Sequence, residues 1–258
     1  MPSSNVAWDI SGPIGILTFT RPEARNALTW EMYDALEHAC QQADEDLRVR
    51  ALIIRGSGGA FAAGTDISQF AGFSSGEDGV RYERRLDALV DRLERVTVPT
   101  IAEVDGPAVG GGCLIAVACD LRLCSDRARF GVPMARTLGN CLSMANLARL
   151  ADAVGPARAR ELLLTARLVD ASEALAIGLA TRVVPHDHLA GEALTLAEEL
   201  ARRASSTVTT TKAMLTRLRR HRCPPTGAAD DLVAACYASA EFREGVRAFT
   251  EGRPPKFA

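Results

Sequence analysis

The chain has 258 residues and a formal net charge of −2, with acidic and basic residues interspersed along it. It is long enough to bury the core of one large domain, and the lack of a basic face argues against a nucleic acid partner. No charged-then-apolar leader opens the sequence and no apolar run approaches membrane-spanning length, so we expect a cytoplasmic protein with no membrane partner.

The first half of the chain alternates predicted strands and helices. Apolar and polar residues alternate over 6–20 around Gly12-Pro13, which predicts a β-hairpin. Thr29 is a favourable N-cap for a helix whose apolar residues recur at helical spacing. Further strands are predicted at 51–55, 99–104 and 121–124. A charged helix is predicted to end near Val96.

Beyond Leu142 the pattern becomes almost entirely helical. Helices are predicted at 144–153, 156–165, 172–177, 189–203, 208–220 and 230–249, with one short strand at 181–184. Strands that alternate with helices, followed by a helical tail, indicate an α/β core and a helical C-terminal part. We place the boundary near Arg203, which gives a core over residues 1–203 and a helical C-terminal region over residues 204–258.

The chain contains seven cysteines, an odd number, and no CxxC pair. This pattern gives little support to a disulfide framework or to a structural zinc site. We therefore expect reduced thiols, several of them buried as small hydrophobic side chains, and no metal.

Four segments resemble signatures of the crotonase superfamily, the family of enoyl-CoA hydratases and isomerases. They are RPEARNAL at 21–28, FAAGTD at 61–66, VDGPAVGGGC at 104–113 and ARFGVP at 128–133. Each segment alone is a weak signal, but four in the family's order and spacing make a strong one. The resemblance spans nearly the whole chain. It implies the spiral ββα, ClpP-like core of that family, with a helical C-terminal trimerisation region that forms a homotrimer or a hexamer built as a dimer of trimers.

The resemblance also implies an acyl-CoA thioester as partner, with coenzyme A as part of the substrate and no separate cofactor. A thioester enolate carries its charge on oxygen, and two fixed hydrogen-bond donors that converge on this oxygen stabilise it. In the family the donors are backbone N–H groups, which here belong to Thr65 and Gly111. Glycines 110–112 let the backbone approach a ligand, and the helix that follows directs the positive end of its dipole there. Taken alone, the triplet also fits a tight turn before a helix.

Residues around these donors are assigned to substrate binding by the same resemblance. Ala63, Gly64 and Gly110 flank the two donors. Asp66 either contacts the substrate or caps nearby backbone N–H groups, and we favour the cap. Arg25 is either the partner of a CoA phosphate or a solvated surface arginine.

The two glutamates with which hydratases of this family position and activate water are missing. Leu114 stands at the first position and Met134 at the second, and neither side chain can carry a proton. General acid–base catalysis is usually worth about 10²–10⁴-fold, so we expect poor hydration at a site that still polarises a thioester. Leu114 and Met134 would instead form an apolar floor under the acyl group.

Polar candidates occupy the segment where the family places alternative acids. Arg136 is able to pair with a substrate carboxylate. Asn140 either positions a water or a carboxylate, or stabilises a turn. Cys141 is a candidate nucleophile, but a free cysteine without a neighbouring histidine is more often buried filler. Ser143 completes the set.

Glu103 is an unexpected charge inside an otherwise apolar predicted strand. An unpaired charge in such a place is costly. We expect it to form a structural or interface ion pair with Arg122 on the later strand.

These features predict an enzyme of the hydratase/isomerase family, a lyase or isomerase, that stabilises a thioester enolate. The alternative enzyme is a decarboxylase of the methylmalonyl-CoA type, because loss of CO₂ creates the enolate without a base and an apolar wall desolvates the carboxylate. A non-catalytic acyl-CoA-binding protein on the same fold is the competing possibility from another class.

Overall fold

A β-hairpin opens the described part of the chain, which comprises residues 5–257 of this computed structural model. Strands β1 (Val6–Ser11) and β2 (Ile14–Phe19) pair antiparallel, and Gly12 supplies the positive φ of 56° at the turn between them. The Thr29 side chain accepts a hydrogen bond from the Met32 N–H and begins helix α1 (Trp30–Glu45). Both elements agree with the predictions from sequence.

The remaining strands extend the hairpin into a larger sheet and form a second, smaller sheet. These strands are β3 (Ala51–Gly56), β4 (Thr100–Val104), β5 (Pro107–Val109), β6 (Leu121–Ser125), β7 (Arg129–Gly131), β8 (Val169–Asp170) and β9 (Arg182–Val184). The larger sheet has the order β1-β2-β3-β4-β6-β9 and is parallel beyond the hairpin. The smaller has the order β5-β7-β8. The strands of this smaller sheet were not predicted from the sequence, because two or three residues are too few to show the alternation of side chains that is typical of a strand.

The described residues contain nine further α-helices and four short 3-10 helices. The α-helices are α2 (Gly76–Glu94), α3 (Gly111–Ala118), α4 (Met144–Val154), α5 (Pro156–Thr165), α6 (Ala171–Ala176), α7 (Leu189–Ala201), α8 (Ser205–Arg222), α9 (Asp230–Tyr237) and α10 (Ala240–Thr250). The prediction of one helix over 230–249 is wrong. Ser239 interrupts it, because its side chain accepts a hydrogen bond from the Phe242 N–H at 3.1 Å and caps a new helix. Within residues 5–257, no helix combines the length and the apolarity that crossing a bilayer requires.

Both faces of the larger sheet are covered. Leu52 and Ile54 belong to the larger core, whereas Ala51 and Ile53 point the other way and pack in a second core with α7. This alternation is the two-residue period of a strand, and burial on both faces explains why β3 reads as a continuous apolar run. Four cysteines are buried in the larger core, in agreement with their interpretation as small hydrophobic residues: Cys40, Cys113, Cys119 and Cys124.

The predicted ion pair between Glu103 and Arg122 is wrong. In the register of β4 and β6, Arg122 lies opposite Ala102, so its side chain projects from the other face of the sheet. Glu103 lies opposite Arg55 of β3, and the Arg55 Nη1 is 3.9 Å from the Glu103 Oε2. Burial raises the pKa of this carboxyl, which the distant guanidinium only partly offsets.

The last two helices fold back onto the chain's own α2 and the segment before α4. Close contact depends on glycine, because a Cβ on Gly79 of α2 would overlap the ring of Tyr237 in α9. Likewise, a Cβ on Gly245 of α10 would overlap the backbone of Leu138. The C-terminal helices therefore contribute side chains to the interior next to α2, and the domain boundary near Arg203 stays a prediction.

Candidate active site

The loop that contains Thr65 is held between two backbone segments. On one side, Ala62 forms a parallel bridge to the second residue of β5. On the other side, the Leu28 N–H donates to the Gly64 oxygen at 2.8 Å, and the Asp66 N–H donates to the Leu28 oxygen at 2.9 Å. In a parallel ladder, alternate residues direct their backbone groups to opposite sides, so the Thr65 N–H faces away from Leu28.

Helix α3 begins beside Thr65. Gly110, which precedes it, has a φ of 51° and a ψ of −121°, a conformation that is available to glycine and strained for other residues. A Cβ on Gly111 would lie 3.7 Å from the Thr65 nitrogen, so the two predicted donors are neighbours. Within the described residues, no hydrogen bond from either N–H group is found. For Gly111 this follows from its place in the first turn of a helix.

Two buried phenols and the half-buried Thr65 hydroxyl lie close to these two N–H groups. The Thr65 Oγ1 lies 2.7 Å from the Tyr33 hydroxyl and 2.7 Å from the Tyr82 hydroxyl. A Cβ on Gly111 would stand 2.5 Å from the Tyr33 oxygen, so this hydroxyl lies beside Gly111. Burial raises the pKa of both phenols, so that they remain protonated at neutral pH. The sequence analysis identified neither tyrosine.

A second polar network lies behind the first. The Glu83 Oε1 accepts a hydrogen bond from the Tyr237 hydroxyl at 2.6 Å, and its Oε2 accepts one from the Ser143 N–H at 3.0 Å. The Asn140 amide donates to the same Tyr237 oxygen at 3.1 Å. The rings of Tyr82 and Tyr237, with centroids 6.2 Å apart, connect the two networks. Burial raises the pKa of Glu83 to about 8.

The structure places Asn140 and Cys141 against α9. Asn140 bonds to a phenol there, and its Oδ1 has no hydrogen-bond partner among residues 5–257. It therefore does not act as a turn-stabilising residue. The neighbouring Cys236 thiol, together with burial, raises the pKa of Cys141. A protonated thiol is a poor nucleophile, so the structure argues against nucleophilic catalysis by Cys141.

The two residues that the resemblance aligns with the family's glutamates, Leu114 and Met134, both contact the apolar core. Leu114 is completely buried in the larger core, and the half-buried Met134 packs against that core. Neither position offers a proton-carrying group.

Two arginines and the loop residues before Thr65 complete the predicted set. The backbone oxygen of Arg25 accepts a hydrogen bond from the Ala63 N–H at 3.0 Å, and Gly64 follows with a φ of 114°. The Arg25 side chain is exposed, and so is that of Arg136. Neither guanidinium has a polar partner among residues 5–257, so both are available to an anionic ligand.

Asp66 is a structural residue, in agreement with the capping interpretation. Its Oδ2 accepts a hydrogen bond from Arg21 at 2.6 Å, and its Oδ1 accepts one from the Ser68 N–H at 3.0 Å. Asn26 was missed by the sequence analysis. It is fully buried, and its amide donates to two backbone oxygens of the 57–60 segment while its Oδ1 accepts from the Arg21 N–H. These two side chains hold the loops that precede and follow Thr65.

A cavity of about 400 Å³ lies along the side of α2 that carries Glu83. Asp87 and Ser143 also line it, and the Ser143 hydroxyl donates to the Asp87 Oδ1 at 2.5 Å. The residues that line this cavity do not include Thr65 or Gly111. The cavity is therefore separate from the immediate surroundings of the two N–H groups.

We expect Glu83 to make the protein less stable as the pH rises. The pKa in the folded protein, about 8, exceeds the ordinary value of 4.5, so the unfolded chain releases its proton first. The stabilisation is complete below the ordinary pKa and is lost as the pH rises through the folded-state pKa. In urea titrations between about pH 5.5 and 8.5, this adds a decline of about 3 kcal/mol to the free energy of unfolding, which Glu83→Gln should remove.

The exposed Glu77 on the first turn of α2 provides the matched control. Glu77→Gln should keep the pH dependence of the parent protein, because it leaves Glu83 and its buried hydrogen bonds to Tyr237 and Ser143 in place. Equal pH slopes for the parent and Glu83→Gln would contradict the assignment.

Comparisons with known proteins identify the family of this chain. The chain matches the family model for enoyl-CoA hydratase/isomerase over residues 9–258. It is 37% identical over 251 residues to enoyl-CoA hydratase EchA19 of Mycobacterium tuberculosis, covering 94% of this chain and 92% of the relative. It is 33% identical over 264 residues to the crotonyl-CoA hydratase of Syntrophomonas wolfei, covering 100% of this chain and 99% of the relative.

The fold comparison gives the same family. A structure of methylmalonyl-CoA decarboxylase in complex with 2-nitronate-propionyl-CoA superposes with a TM-score of 0.89 at 25% identity, covering 99% of this chain and 98% of that one. The predicted α/β crotonase fold is thereby confirmed. The family match over nearly the whole chain and the full-length relatives show that this chain belongs to the enoyl-CoA hydratase/isomerase family, within the crotonase superfamily.

Proposed function

We propose that the chain binds an acyl-CoA thioester and stabilises its enolate through the N–H groups of Thr65 and Gly111. The observation that carries the proposal is the adjacency of two N–H groups that have no acceptor among residues 5–257. An oxygen between them would accept two hydrogen bonds at the positive end of the α3 dipole. A donor of this kind is worth about 3 kcal/mol of barrier.

The same site lacks the groups that handle water. Leu114 and Met134 cannot transfer a proton, and Glu83 is engaged by Tyr237 and Ser143. Reactions that require a base to deprotonate the α-carbon or a water molecule are therefore expected to be slow at this site. We assign Arg25 to a phosphate of coenzyme A and Arg136 to a carboxylate of the acyl group, because both guanidinium groups are exposed and have no polar partner among the described residues.

Decarboxylation of a malonyl-type thioester is the second candidate. The bond between the α-carbon and the carboxylate breaks, its electron pair enters the thioester as the enolate, CO₂ leaves, and a proton from solvent is added to the α-carbon. This route needs no base, which suits the apolar residues at positions 114 and 134. The similarity to methylmalonyl-CoA decarboxylase, at a TM-score of 0.89, also favours it.

A panel of CoA thioesters tests the proposal. The purified protein is incubated with enoyl-, malonyl- and methylmalonyl-CoA, and the masses of the products are measured by mass spectrometry. We expect loss of CO₂ from a malonyl-type thioester or another conversion that passes through an enolate. Heat stabilisation by thioesters without any change in their mass would indicate a non-catalytic acyl-CoA-binding protein instead.

A ligand without the thioester oxygen is the matched control. An S-alkyl CoA thioether presents the same nucleotide but no carbonyl oxygen to the N–H pair. It should stabilise the protein against heat less than the corresponding thioester does. Equal stabilisation by both would contradict recognition of the oxygen.

We also propose a homotrimer or a hexamer. Helix α8 leaves Met214, Leu215 and Leu218 on its surface, with 64%, 62% and 55% of each residue exposed. Such a stripe costs free energy in water and is covered when subunits associate. Light scattering at micromolar concentration should give three or six times the 27.5 kDa of one chain. Leu215→Glu with Leu218→Glu should lower that mass, and a stable monomer of the parent chain would contradict the proposal.

A further inference from the structure

The three hydroxyl groups beside the N–H pair have three protons but only two short hydrogen bonds among them. The Tyr33 and Tyr82 hydroxyls each lie 2.7 Å from the Thr65 Oγ1, so both short bonds run through Thr65. The two phenols are also hydrogen-bond partners of each other, but that contact is weaker than the two bonds to Thr65. An anionic oxygen that enters the site would take over the third O–H proton, because a charged acceptor forms the stronger hydrogen bond.

The position of Gly111 indicates which hydroxyl carries that proton. The Tyr33 oxygen would stand 2.5 Å from a Cβ on Gly111, whereas Tyr82 is not among the closest atoms there. If Tyr82 donates to Thr65 and Thr65 donates to Tyr33, the Tyr33 proton is the one that neither short bond uses. Donors at the end of such a chain are strengthened, because each hydrogen bond polarises the next.

We propose that the Tyr33 hydroxyl is a third hydrogen-bond donor to the oxygen held by the N–H groups of Thr65 and Gly111. Tyr82 is a positioning residue that acts through the Thr65 hydroxyl. The inference rests on the proposed function and deepens it, since it selects ligands whose oxygen becomes anionic. A phenol bonds more strongly to an enolate oxygen than to a neutral carbonyl oxygen. The three donors together therefore discriminate between the two charge states of the ligand.

A purely structural role for Tyr33 makes a different prediction. Its ring packs against Trp30 with centroids 5.5 Å apart, so the ring contributes to the core whatever the hydroxyl does. Tyr33→Phe keeps this ring and removes only the oxygen. The variant separates hydrogen bonding from packing.

Calorimetric titration with two ligands tests the inference. Propionyl-CoA offers a neutral oxygen, and 2-nitronate-propionyl-CoA offers a planar anionic group that imitates the enolate. We expect the parent protein to bind the nitronate more tightly. Tyr33→Phe should weaken nitronate binding by about 10-fold or more and propionyl-CoA binding by about 2-fold or less. Tyr82→Phe should show a smaller loss in the same direction.

Tyr237→Phe is the matched control. It makes the same chemical change in the same aromatic cluster, but its hydroxyl bonds to Glu83 and Asn140 and not to Thr65. Its ratio of nitronate to propionyl-CoA affinity should equal that of the parent. If Tyr33→Phe does not fold, Thr65→Val removes the central hydroxyl, keeps the N–H group, and should lower the same ratio.

The outcomes distinguish the two levels of the proposal. If the parent prefers the nitronate and Tyr33→Phe keeps that preference, the proposed role of Tyr33 is overturned. The proposed role of the two N–H groups would then remain supported. Equal weakening of both ligands in Tyr33→Phe would also overturn it, because loss of packing acts on both. A parent protein that binds the nitronate no better than propionyl-CoA would overturn the proposed function and this inference together.

Discussion

Replacing Gly111 by proline is expected to reduce thioester turnover by about 10²–10³-fold or more. Proline has no N–H group, so one donor is removed, and its Cβ would stand 2.5 Å from the Tyr33 oxygen and displace that hydroxyl. Helix α3 should still form, because Gly111 is its first residue, where proline is well accommodated. The measurement is turnover of the substrate found in the thioester panel, together with the far-UV circular dichroism spectrum, which should be nearly unchanged.

Proline at the first residue of another helix provides the control. Ala240 begins α10, is exposed, and follows Ser239 in extended conformation, which suits a residue before proline. Ala240→Pro should therefore keep full turnover. A folded Gly111→Pro protein with unchanged activity would show that the glycine triplet serves only as a turn.

The fold and the N–H pair could be predicted from the sequence because short local motifs carry them. The triple glycine and the FAAGTD segment specify backbone conformation directly, since glycine permits conformations that other residues avoid. Their resemblance to the segments of the crotonase family, in the same order, indicated which two N–H groups to expect together. No side chain had to be placed to reach that prediction.

The hydroxyl groups and Glu83 could not be predicted in this way. Tyr33 comes from α1, Tyr82 from α2 and Tyr237 from α9, so their meeting depends on how three distant helices pack. An aromatic residue at a buried helical position gives the same pattern whether its hydroxyl is used or not. Glu83 lies among charged residues of α2 and resembles a solvated position, but it is buried in the fold, where Tyr237 of α9 and Ser143 bond to it.

Strand register and helix breaks also exceeded what the sequence pattern could specify. Glu103 and Arg122 lie on neighbouring strands, but a shift of one residue in the pairing decides whether they share a face. The apolar spacing continues through Ser239, so the pattern did not reveal the break between α9 and α10. Tyr237, the last residue before the break, bonds to Glu83, and Gly245 beyond the break lies against the backbone of Leu138.

The protein is expected to hydrate crotonyl-CoA several orders of magnitude more slowly than a hydratase that has both glutamates. Addition of water requires one group to orient and deprotonate the water and one to protonate the α-carbon, and each is worth about 10²–10⁴-fold. Leu114 and Met134 supply neither. Glu83, with a pKa of about 8, is largely protonated at neutral pH and is engaged by Tyr237 and Ser143, so it does not replace the missing base.

The measurement is the loss of ultraviolet absorbance of the conjugated thioester, with the crotonyl-CoA hydratase of Syntrophomonas wolfei assayed alongside. Restoring both carboxyls with Leu114→Glu and Met134→Glu should raise the rate, and the double glutamine variant is the control of equal shape. Leu114 is completely buried, so its glutamate should lower the free energy of unfolding, and urea titration has to show that the variant is folded. Hydration by the parent protein near about 10³ s⁻¹ would refute the prediction. It would mean that another side chain orients the water. Asn140 would be the first to test, because its Oδ1 has no hydrogen-bond partner among residues 5–257.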